Sequence, residues 1–184
     1  MKIREAERDD LAALLELLYI HLNGEDSVPE GDSNVMELWG KILEHPSQHI
    51  IVGIEDGIIV SSCVITVIQN LTRGFCPYAL IENVVTHGNY RNRGYASEIL
   101  EYARSIAKEK KCYKIMLMTG SKQESTLRFY EKAGYNMNDK TAFIQWLRDG
   151  AEDFIDRIKR LEKPVVLYGV GDGAEKIIEY LDGF

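Results

Sequence analysis

The sequence has few cysteines, and none of them lie in a paired arrangement. Cys63, Cys76 and Cys112 are far apart in the chain, odd in number and without a C-x-x-C spacing. This pattern builds neither a disulfide framework nor a zinc knuckle. We therefore expect free thiols in a reducing compartment.

The sequence also lacks a long apolar run and an excess of positive charge. Charged residues interrupt residues 1–5, where a secretory signal would need an apolar stretch, and no segment reaches the length of a membrane span. Lys and Arg number 22 against 29 Asp and Glu, which gives a formal net charge of −7. An acidic chain is a poor nucleic-acid binder because phosphate contacts need a basic face. We expect a cytoplasmic protein that binds neither nucleic acid nor membrane.

Apolar residues make up 45% of the chain, which is enough for a folded core. Their spacing is helical at first and then strand-like, and Asp56-Gly57 between two Ile- and Val-rich runs is typical of a type I′ hairpin. The order predicts an α/β (α+β) layer fold with a mixed, mostly antiparallel central sheet and helices on both faces. The predicted elements are strand 2–5, helices 11–22 and 35–44, strands 49–55, 58–68 and 78–86, helix 96–110, strand 113–119, helix 124–133 and strand 141–147.

The last part of the chain predicts a separate α-β-α extension. We place one domain at residues 1–148 and the extension at 149–184, with helices at 152–161 and 174–181 around a strand at 163–168. The strand leads into a G-x-G-x-x-A turn at Gly169, Gly171 and Ala174, which resembles the first β-α unit of a Rossmann-type domain. The second strand of such a domain does not follow. Three interpretations stay open: a unit cut from a longer protein, a unit docked on this chain or a partner, or a remnant.

The most informative segment is the passage from strand 78–86 into helix 96–110. A basic turn that contains Gly94 joins the two, so several backbone N–H groups and the positive end of the helix dipole meet at one place. Arg91 and Arg93 can add charge there. The turn therefore suits phosphate, and pyrophosphate best. The alternative is a plain helix start with two solvated arginines.

Residues 91–96 resemble the cofactor signature Q/R-x-x-G-x-G/A of the GNAT superfamily of acyl-CoA N-acyltransferases, and the element order over residues 1–147 is similar to that fold. The resemblance implies acetyl-CoA as acyl donor. It also implies a bulged strand, splayed from its neighbour, whose main chain pairs with the pantetheine arm and whose N–H near Val84 holds the oxyanion. The expected cofactor-binding residues are Val84, Val85, Arg91, Asn92, Arg93, Gly94, Tyr95, Ala96 and Ser97.

Within the superfamily, residues 81–85, 112–117 and 129–135 are similar to glucosamine-phosphate N-acetyltransferases. Those enzymes carry an acidic residue just after the strand that ends here at Leu117. This chain has Met118, Thr119 and Gly120 instead. An amino-sugar phosphate is therefore one candidate acceptor and not the prediction.

Two side chains are the candidate catalytic residues. The resemblance places Tyr130 where the superfamily commonly has a tyrosine that protonates the departing CoA sulfur; the alternative is a core tyrosine beside Phe129. Glu82 is the candidate for removing the proton from the amine, and burial on its apolar strand would make it a better base. The alternative for Glu82 is a solvent-facing or ion-paired carboxylate. Asn83 points to the opposite face in a regular strand and competes weakly as a base unless a bulge rotates it.

The four histidines predict no metal site. His45 and His49 are four residues apart, but Pro46 between them prevents a shared helix face. His87 follows the cofactor strand, where it can contact substrate or CoA, although a loop histidine without a role is favoured. His21 falls at the end of the first helix. The acidic loop 25–32 favours a cationic acceptor if it faces the site, and is otherwise a solvated loop.

The resemblance to the GNAT superfamily, together with these residues, implies an N-acetyltransferase that moves an acetyl group from acetyl-CoA to a primary amine of a small molecule by direct attack in a ternary complex. Two alternatives remain: a catalytically weak acyl-CoA-binding regulatory module, and a protein-lysine or N-terminal acetyltransferase. Whether the chain forms a homodimer is left open.

Overall fold

The computed structural model describes residues 1–28, 33–145 and 147. The chain divides into two units, Met1–Asp139 and Lys140–Phe184. The predicted extension at 149–184, with its G-x-G-x-x-A turn, lies outside the described residues. The helices and strands that follow all belong to the first unit.

A five-stranded sheet forms the centre of the first unit, in the order β1-β2-β3-β4-β5. The first four strands are antiparallel to their neighbours, and β5 runs parallel to β4. The predicted mixed, mostly antiparallel sheet is confirmed. The strands are β1 Lys2–Glu5, β2 Gln48–Glu55, β3 Ile58–Ile68, β4 Tyr78–Thr86 and β5 Ile115–Leu117.

The hairpin between β2 and β3 follows from its turn residues. Asp56 has a φ of 49° and Gly57 one of 81°. Two successive left-handed residues define the type I′ turn, whose twist matches that of the flanking strands.

Helices cover both faces of the sheet, as predicted. One apolar cluster packs α3 and side chains of α4 against one face, and a second packs the first helix and α2 against the other. Side chains alternate along a strand, so neighbouring residues of β2 pack into opposite clusters. Ile51 lies in the first cluster and Val52 in the second. The helices are α1 Leu11–Glu16, α2 Ser33–Leu43, α3 Tyr95–Glu109 and α4 Glu124–Lys132, with short 3₁₀ turns at Arg8–Asp10 and Gly88–Tyr90.

The first helix changes type halfway along its length. After α1 it continues as a π-helical segment, Leu17–Leu22, hereafter the π segment. The wider turn shifts the buried stripe relative to a regular helix. Leu17, at the start of this segment, is 2% exposed, whereas Leu22, at its end, is 40% exposed although an α-helical period would bury it.

Strand β4 carries a bulge that divides it into two halves. Ser62 pairs with Val85 and Val64 with Glu82, so β4 has one residue more than β3 in this interval. Asn83 supplies the extra residue with a φ of 54°. The bulge reverses the alternation: Ile81 belongs to the cluster under α3, and Val85, four residues later, to the cluster on the opposite face.

Beyond the bulge β4 also parts from β5. The parallel pairing covers only Ala79 to Ile81 on β4, and its last partner is Leu117. Strand β5 is therefore shorter than the predicted 113–119. Among the described residues, the second half of β4 has no strand on its β5 side.

The predicted last strand is wrong for the residues that are described. Residues 141–145 have no regular secondary structure. The apolar alternation suggested a strand with one buried face, but Phe143 and Leu147 are each 92% exposed. An alternating pattern specifies a strand only when one face is buried.

Candidate active site

The candidate site begins at the second half of β4, from Glu82 to Thr86, which is not paired with β5 and is called the open half. The backbone N–H of His87 donates to the carbonyl of Val60 at 2.9 Å, and Val85 pairs with Ser62. Main-chain groups of an antiparallel strand alternate between its two edges. Val85 is therefore turned towards β3, where its carbonyl also accepts from the Ser61 hydroxyl at 2.8 Å. Val84 presents its main chain to the open edge.

The resemblance predicts both valines as cofactor-binding residues, but their surroundings in the structure differ. Val84 is half-buried against the cluster under α3 and offers its N–H and C=O to the open edge. Val85 is buried on the opposite face, with its main chain occupied by β3. Of the two, only Val84 is placed to pair with a molecule inserted between β4 and β5.

The loop after β4 leads directly into α3. Asn92 has a φ of 61° and Gly94 one of 87°, so two left-handed residues flank Arg93. Gly94 is the N-cap of α3 and makes no side-chain cap, and a Cβ at this position would meet no atom within 4 Å. The glycine is thus required for its backbone angle. The first turn of α3, with Tyr95, Ala96 and Ser97, keeps N–H groups free of a side-chain cap and suited to an anion.

The two arginines of the loop have different surroundings. Arg91 donates from Nε to the carbonyl of Thr86 at 3.2 Å and from Nη2 to the carbonyl of His21 at 3.1 Å. It therefore braces the loop against the end of the first helix. The guanidinium of Arg93 lies over the ring of Tyr90, 5.0 Å from its centroid, and is exposed. Both side chains are exposed, and they differ in their contacts: Arg91 donates to main-chain carbonyls, whereas Arg93 lies over an aromatic ring.

Tyr130 lies on α4 and packs against the cluster under α3. Its ring contacts Phe129 at 4.9 Å and Tyr135 at 6.2 Å between centroids. Burial raises the pKa of Tyr130, and the nearby Cys63 thiol raises it further. Cys63 is the residue of β3 opposite the bulge. The phenol therefore lies near the bulge, on the α3 side of the sheet, and keeps its proton at neutral pH.

Glu82 lies on the other side of the sheet. It follows Ile81, which points into the cluster under α3, so its side chain points to the face of α1 and α2. The side chain is exposed, and the condition of burial attached to its role as a base is not met. The two predicted catalytic residues thus flank the gap between β4 and β5 from opposite faces.

Sequence reasoning missed a pair of histidines beside the loop. The rings of His21 and His87 lie 3.9 Å apart between centroids, and Nδ1 of His21 accepts from the N–H of Gly88 at 3.4 Å. The two residues are far apart in the sequence, and no spacing rule connects them. Among the described residues, no group of three His, Cys, Asp or Glu side chains could hold a metal ion.

The acidic loop is described only in part. Glu25 accepts from the side chain of Asn23 at 3.1 Å, and Asp26 follows it before residues 29–32, which are outside the described part.

In the part of the chain that the structure describes, no helix combines the length and the apolarity needed to cross a membrane.

Comparison with known proteins identifies the family that residues 91–96 resemble. A family model described as the acetyltransferase (GNAT) family matches residues 11–135. Glucosamine 6-phosphate N-acetyltransferase of Trypanosoma brucei brucei is 32% identical over 84 residues, which are 46% of this chain and 55% of that protein. The chain spans about half the length of this curated relative.

Solved structures match a larger share of the chain. A structure from Agrobacterium tumefaciens str. C58, provisionally described as an acetyltransferase, is 34% identical, with a TM-score of 0.73, and the match covers 79% of this chain and 100% of that one. A transcriptional regulator from Bacillus halodurans C-125 is 26% identical, with a TM-score of 0.70, over 79% and 99% of the two chains. Since the family model matches well over half of the sequence, this chain belongs to the acetyltransferase (GNAT) family.

Proposed function

We propose that the protein transfers an acetyl group from acetyl-CoA to a primary amine of a small molecule, by direct attack in a ternary complex. One observation carries this proposal: the gap between β4 and β5 beyond Ile81 opens onto the main chain of Val84 and leads into the uncapped start of α3. A pantetheine arm carries amides that match an open strand edge, and its pyrophosphate matches free N–H groups at a helix start.

The residues along this path divide the binding of acetyl-CoA between them. Val84 offers the main-chain groups that would pair with the pantetheine arm. The left-handed residues Asn92 and Gly94 turn the backbone so that the N–H groups of Tyr95, Ala96 and Ser97 face the pyrophosphate. Arg93 adds a positive charge at the surface of the loop, whereas Arg91 holds the loop in place through Thr86 and His21.

The chemical step needs a base for the amine, a donor for the oxyanion and an acid for the leaving sulfur. The N–H of Val84 lies at the open edge and would hold the carbonyl oxygen as the amine nitrogen bonds to the carbonyl carbon. When the C–S bond breaks, Tyr130 would give its phenolic proton to the sulfur and recover one from solvent. Because Glu82 is exposed, the amine proton would reach its carboxylate through water.

The faces of the sheet suggest how the two substrates enter. Tyr130 lies on the α3 side and Glu82 on the side of α1 and α2. We infer that the acyl donor enters along α3 and the amine enters from the opposite face. The 32% identity to a glucosamine 6-phosphate N-acetyltransferase makes an amino-sugar phosphate one acceptor to test. Met118 and Thr119 stand where those enzymes have an acidic residue, so the acceptor class stays a primary amine.

A second candidate function is an acyl-CoA-binding regulatory module without turnover. The similarity to a transcriptional regulator and the exposure of Glu82 favour it. Such a module would bind acetyl-CoA along the same path, from the gap between β4 and β5 to the start of α3, but would not transfer the acetyl group.

Thermal unfolding of the full chain with and without acetyl-CoA tests the shared part. A ligand that binds only the folded state at about 100 times its Kd stabilises it by about 2.7 kcal/mol, a shift of several degrees in Tm. An unchanged Tm would contradict both candidates. Release of the CoA thiol, measured with a panel of an amino-sugar phosphate, a polyamine and a lysine peptide, then separates them. Turnover with an amine supports the enzyme, and a Tm shift without turnover supports the regulatory module.

A further inference from the structure

Residues 87–94 join β4 to α3 and are called the cofactor loop. The π segment and the cofactor loop meet at four residues, which we call the histidine junction: His21, His87, Tyr90 and Arg91. The π segment ends at Leu22, so the carbonyl of His21 belongs to the last turn, where carbonyls have no partner within the helix. Arg91 donates to this carbonyl at 3.1 Å and to that of Thr86 at 3.2 Å. A cation at the carboxyl end of a helix is also favoured by the helix dipole.

The rings of the junction add a second set of contacts. Nδ1 of His21 accepts from the N–H of Gly88 at 3.4 Å, and Nδ1 of His87 accepts from the N–H of Asn89 at 3.2 Å. The two rings lie 3.9 Å apart between centroids, and the His87 ring meets that of Tyr90 edge-on at 5.3 Å. A histidine nitrogen accepts a hydrogen bond only when it carries no proton. The junction is therefore formed by histidines with Nδ1 unprotonated.

The charges around His21 agree with this state. Burial lowers the pKa of His21, and the neighbouring His87 and Arg91 lower it further, while Glu16 on its own helix acts in the opposite direction. Glu82 is the carboxylate that β4 carries on the face packed against the π segment. His21 thus stays neutral near pH 7, with Nδ1 available to Gly88.

The position of the junction gives it a role in binding. It holds residues 86–91, the stretch between the open half of β4 and the first turn of α3. The pantetheine path and the pyrophosphate site lie on either side of this stretch, and both must be in register for one molecule to occupy them. The same π segment continues into the loop with Glu25 and Asp26. A side chain that fixes the junction therefore fixes the cofactor loop relative to the helix that precedes this acidic loop.

We propose that His21 is a positioning residue for acetyl-CoA: through Nδ1 and its main-chain carbonyl it fixes the loop that presents the pyrophosphate site. This inference rests on the proposed function for its ligand, but the holding of the loop by His21 is independent of it. The role is structural towards the loop, and His21 contacts no reacting atom.

Three variants of the full chain test this role. His21→Leu removes the acceptor, His21→Asn retains an oxygen acceptor close to the position of Nδ1, and His45→Leu is the matched control. Nδ1 of His45 accepts from the N–H of Ser47 at 3.2 Å, the same kind of contact in the turn between α2 and β2. We expect His21→Leu to raise the KM for acetyl-CoA about fivefold, the fold-change that corresponds to one hydrogen bond of about 1 kcal/mol, with kcat within about twofold. His21→Asn and His45→Leu should leave the KM within about twofold.

Hydrogen–deuterium exchange without ligand separates this inference from the proposed function. Faster exchange of the amides of residues 88–97 in His21→Leu, restored in His21→Asn, supports the role of His21 even if acetyl-CoA proves not to bind. Unchanged exchange and unchanged KM in His21→Leu would overturn it, as would a KM in His21→Asn as high as in His21→Leu. If His21→Leu does not fold, His21→Gln replaces it, because its amide lies one bond further out than Nδ1 and should fail where His21→Asn succeeds.

Discussion

The two halves of β4 share β3 on one side and differ on the other. The first half, up to Ile81, is paired on both sides, and its Ala79 and Ile81 are buried in the cluster under α3. The second half begins at the bulge, has no strand on its β5 side among the described residues, and exposes Glu82 and Asn83. One extra residue separates a half that is paired on both sides from a half that is paired with β3 and open on its β5 side. Mutations in the two halves should therefore affect different measurements.

The largest expected effect on stability comes from the paired half. Ile81→Ala removes a side chain that is 1% exposed and leaves a cavity under α3. We expect a loss of about 3 kcal/mol in the free energy of unfolding, because Ile→Ala changes in a core cost about 2–5 kcal/mol. Urea denaturation followed by far-ultraviolet circular dichroism measures it.

Val84→Ala is the comparison variant in the open half. Its side chain is only half-buried, so the loss of stability should be about 1 kcal/mol. Its main-chain groups remain, and acetyl-CoA should bind as before. Equal losses of stability in the two variants would mean that the bulge does not divide β4 into halves of different character.

The second prediction concerns Tyr130, which lies near the bulge. Tyr130→Phe removes the phenolic proton and keeps the ring, so kcat should fall about 100-fold while the KM for acetyl-CoA changes little. Release of the CoA thiol under saturating amine measures the change.

Tyr135→Phe is the matched control for the loss of a hydroxyl. Tyr135 packs against the same cluster, its ring is 6.2 Å from that of Tyr130, and burial raises its pKa to about 12. Its kcat should stay within about threefold of the unaltered protein. A similar fall in both variants would indicate a packing effect and remove Tyr130 from the chemical step.

Local patterns in the sequence identified most of the scaffold. The bounds of β4 at 78–86, the turn at Asp56 and Gly57 and the helix after Gly94 follow from strand propensity, turn chemistry and helical period, all of which act over a few residues. The strand predicted at 141–147 is wrong because an alternating pattern does not reveal whether another part of the chain buries it.

The partners of the site residues could not be read from the sequence in the same way. The signature predicts Arg91 at the phosphates but not that its guanidinium donates to the carbonyls of Thr86 and His21. The carbonyl of His21 becomes a partner because the first helix turns into the π segment and ends there, which no helical period predicts. The contact of His21 with His87 depends on the packing of the π segment against β4.

The smallest effect is expected at Glu82, on the face opposite to Tyr130. Glu82→Gln keeps the size of the side chain and removes its capacity to accept a proton. Because the side chain is exposed, water and buffer can replace it in part, and we expect kcat to fall only about tenfold, at the low end of general-base effects. Added small-molecule bases should restore part of the loss, because they reach an exposed position.

The control for Glu82→Gln is the same substitution at another exposed glutamate. Glu98, in the first turn of α3, is exposed as well and lies at the other end of the cofactor loop. Glu98→Gln removes the same charge near the cofactor path without removing a group from the face of α1 and α2, and kcat should stay within about twofold. If Glu82→Gln and Glu98→Gln behave alike, the amine proton leaves directly to water, and the open half of β4 supplies the binding edge and the oxyanion donor but not the base.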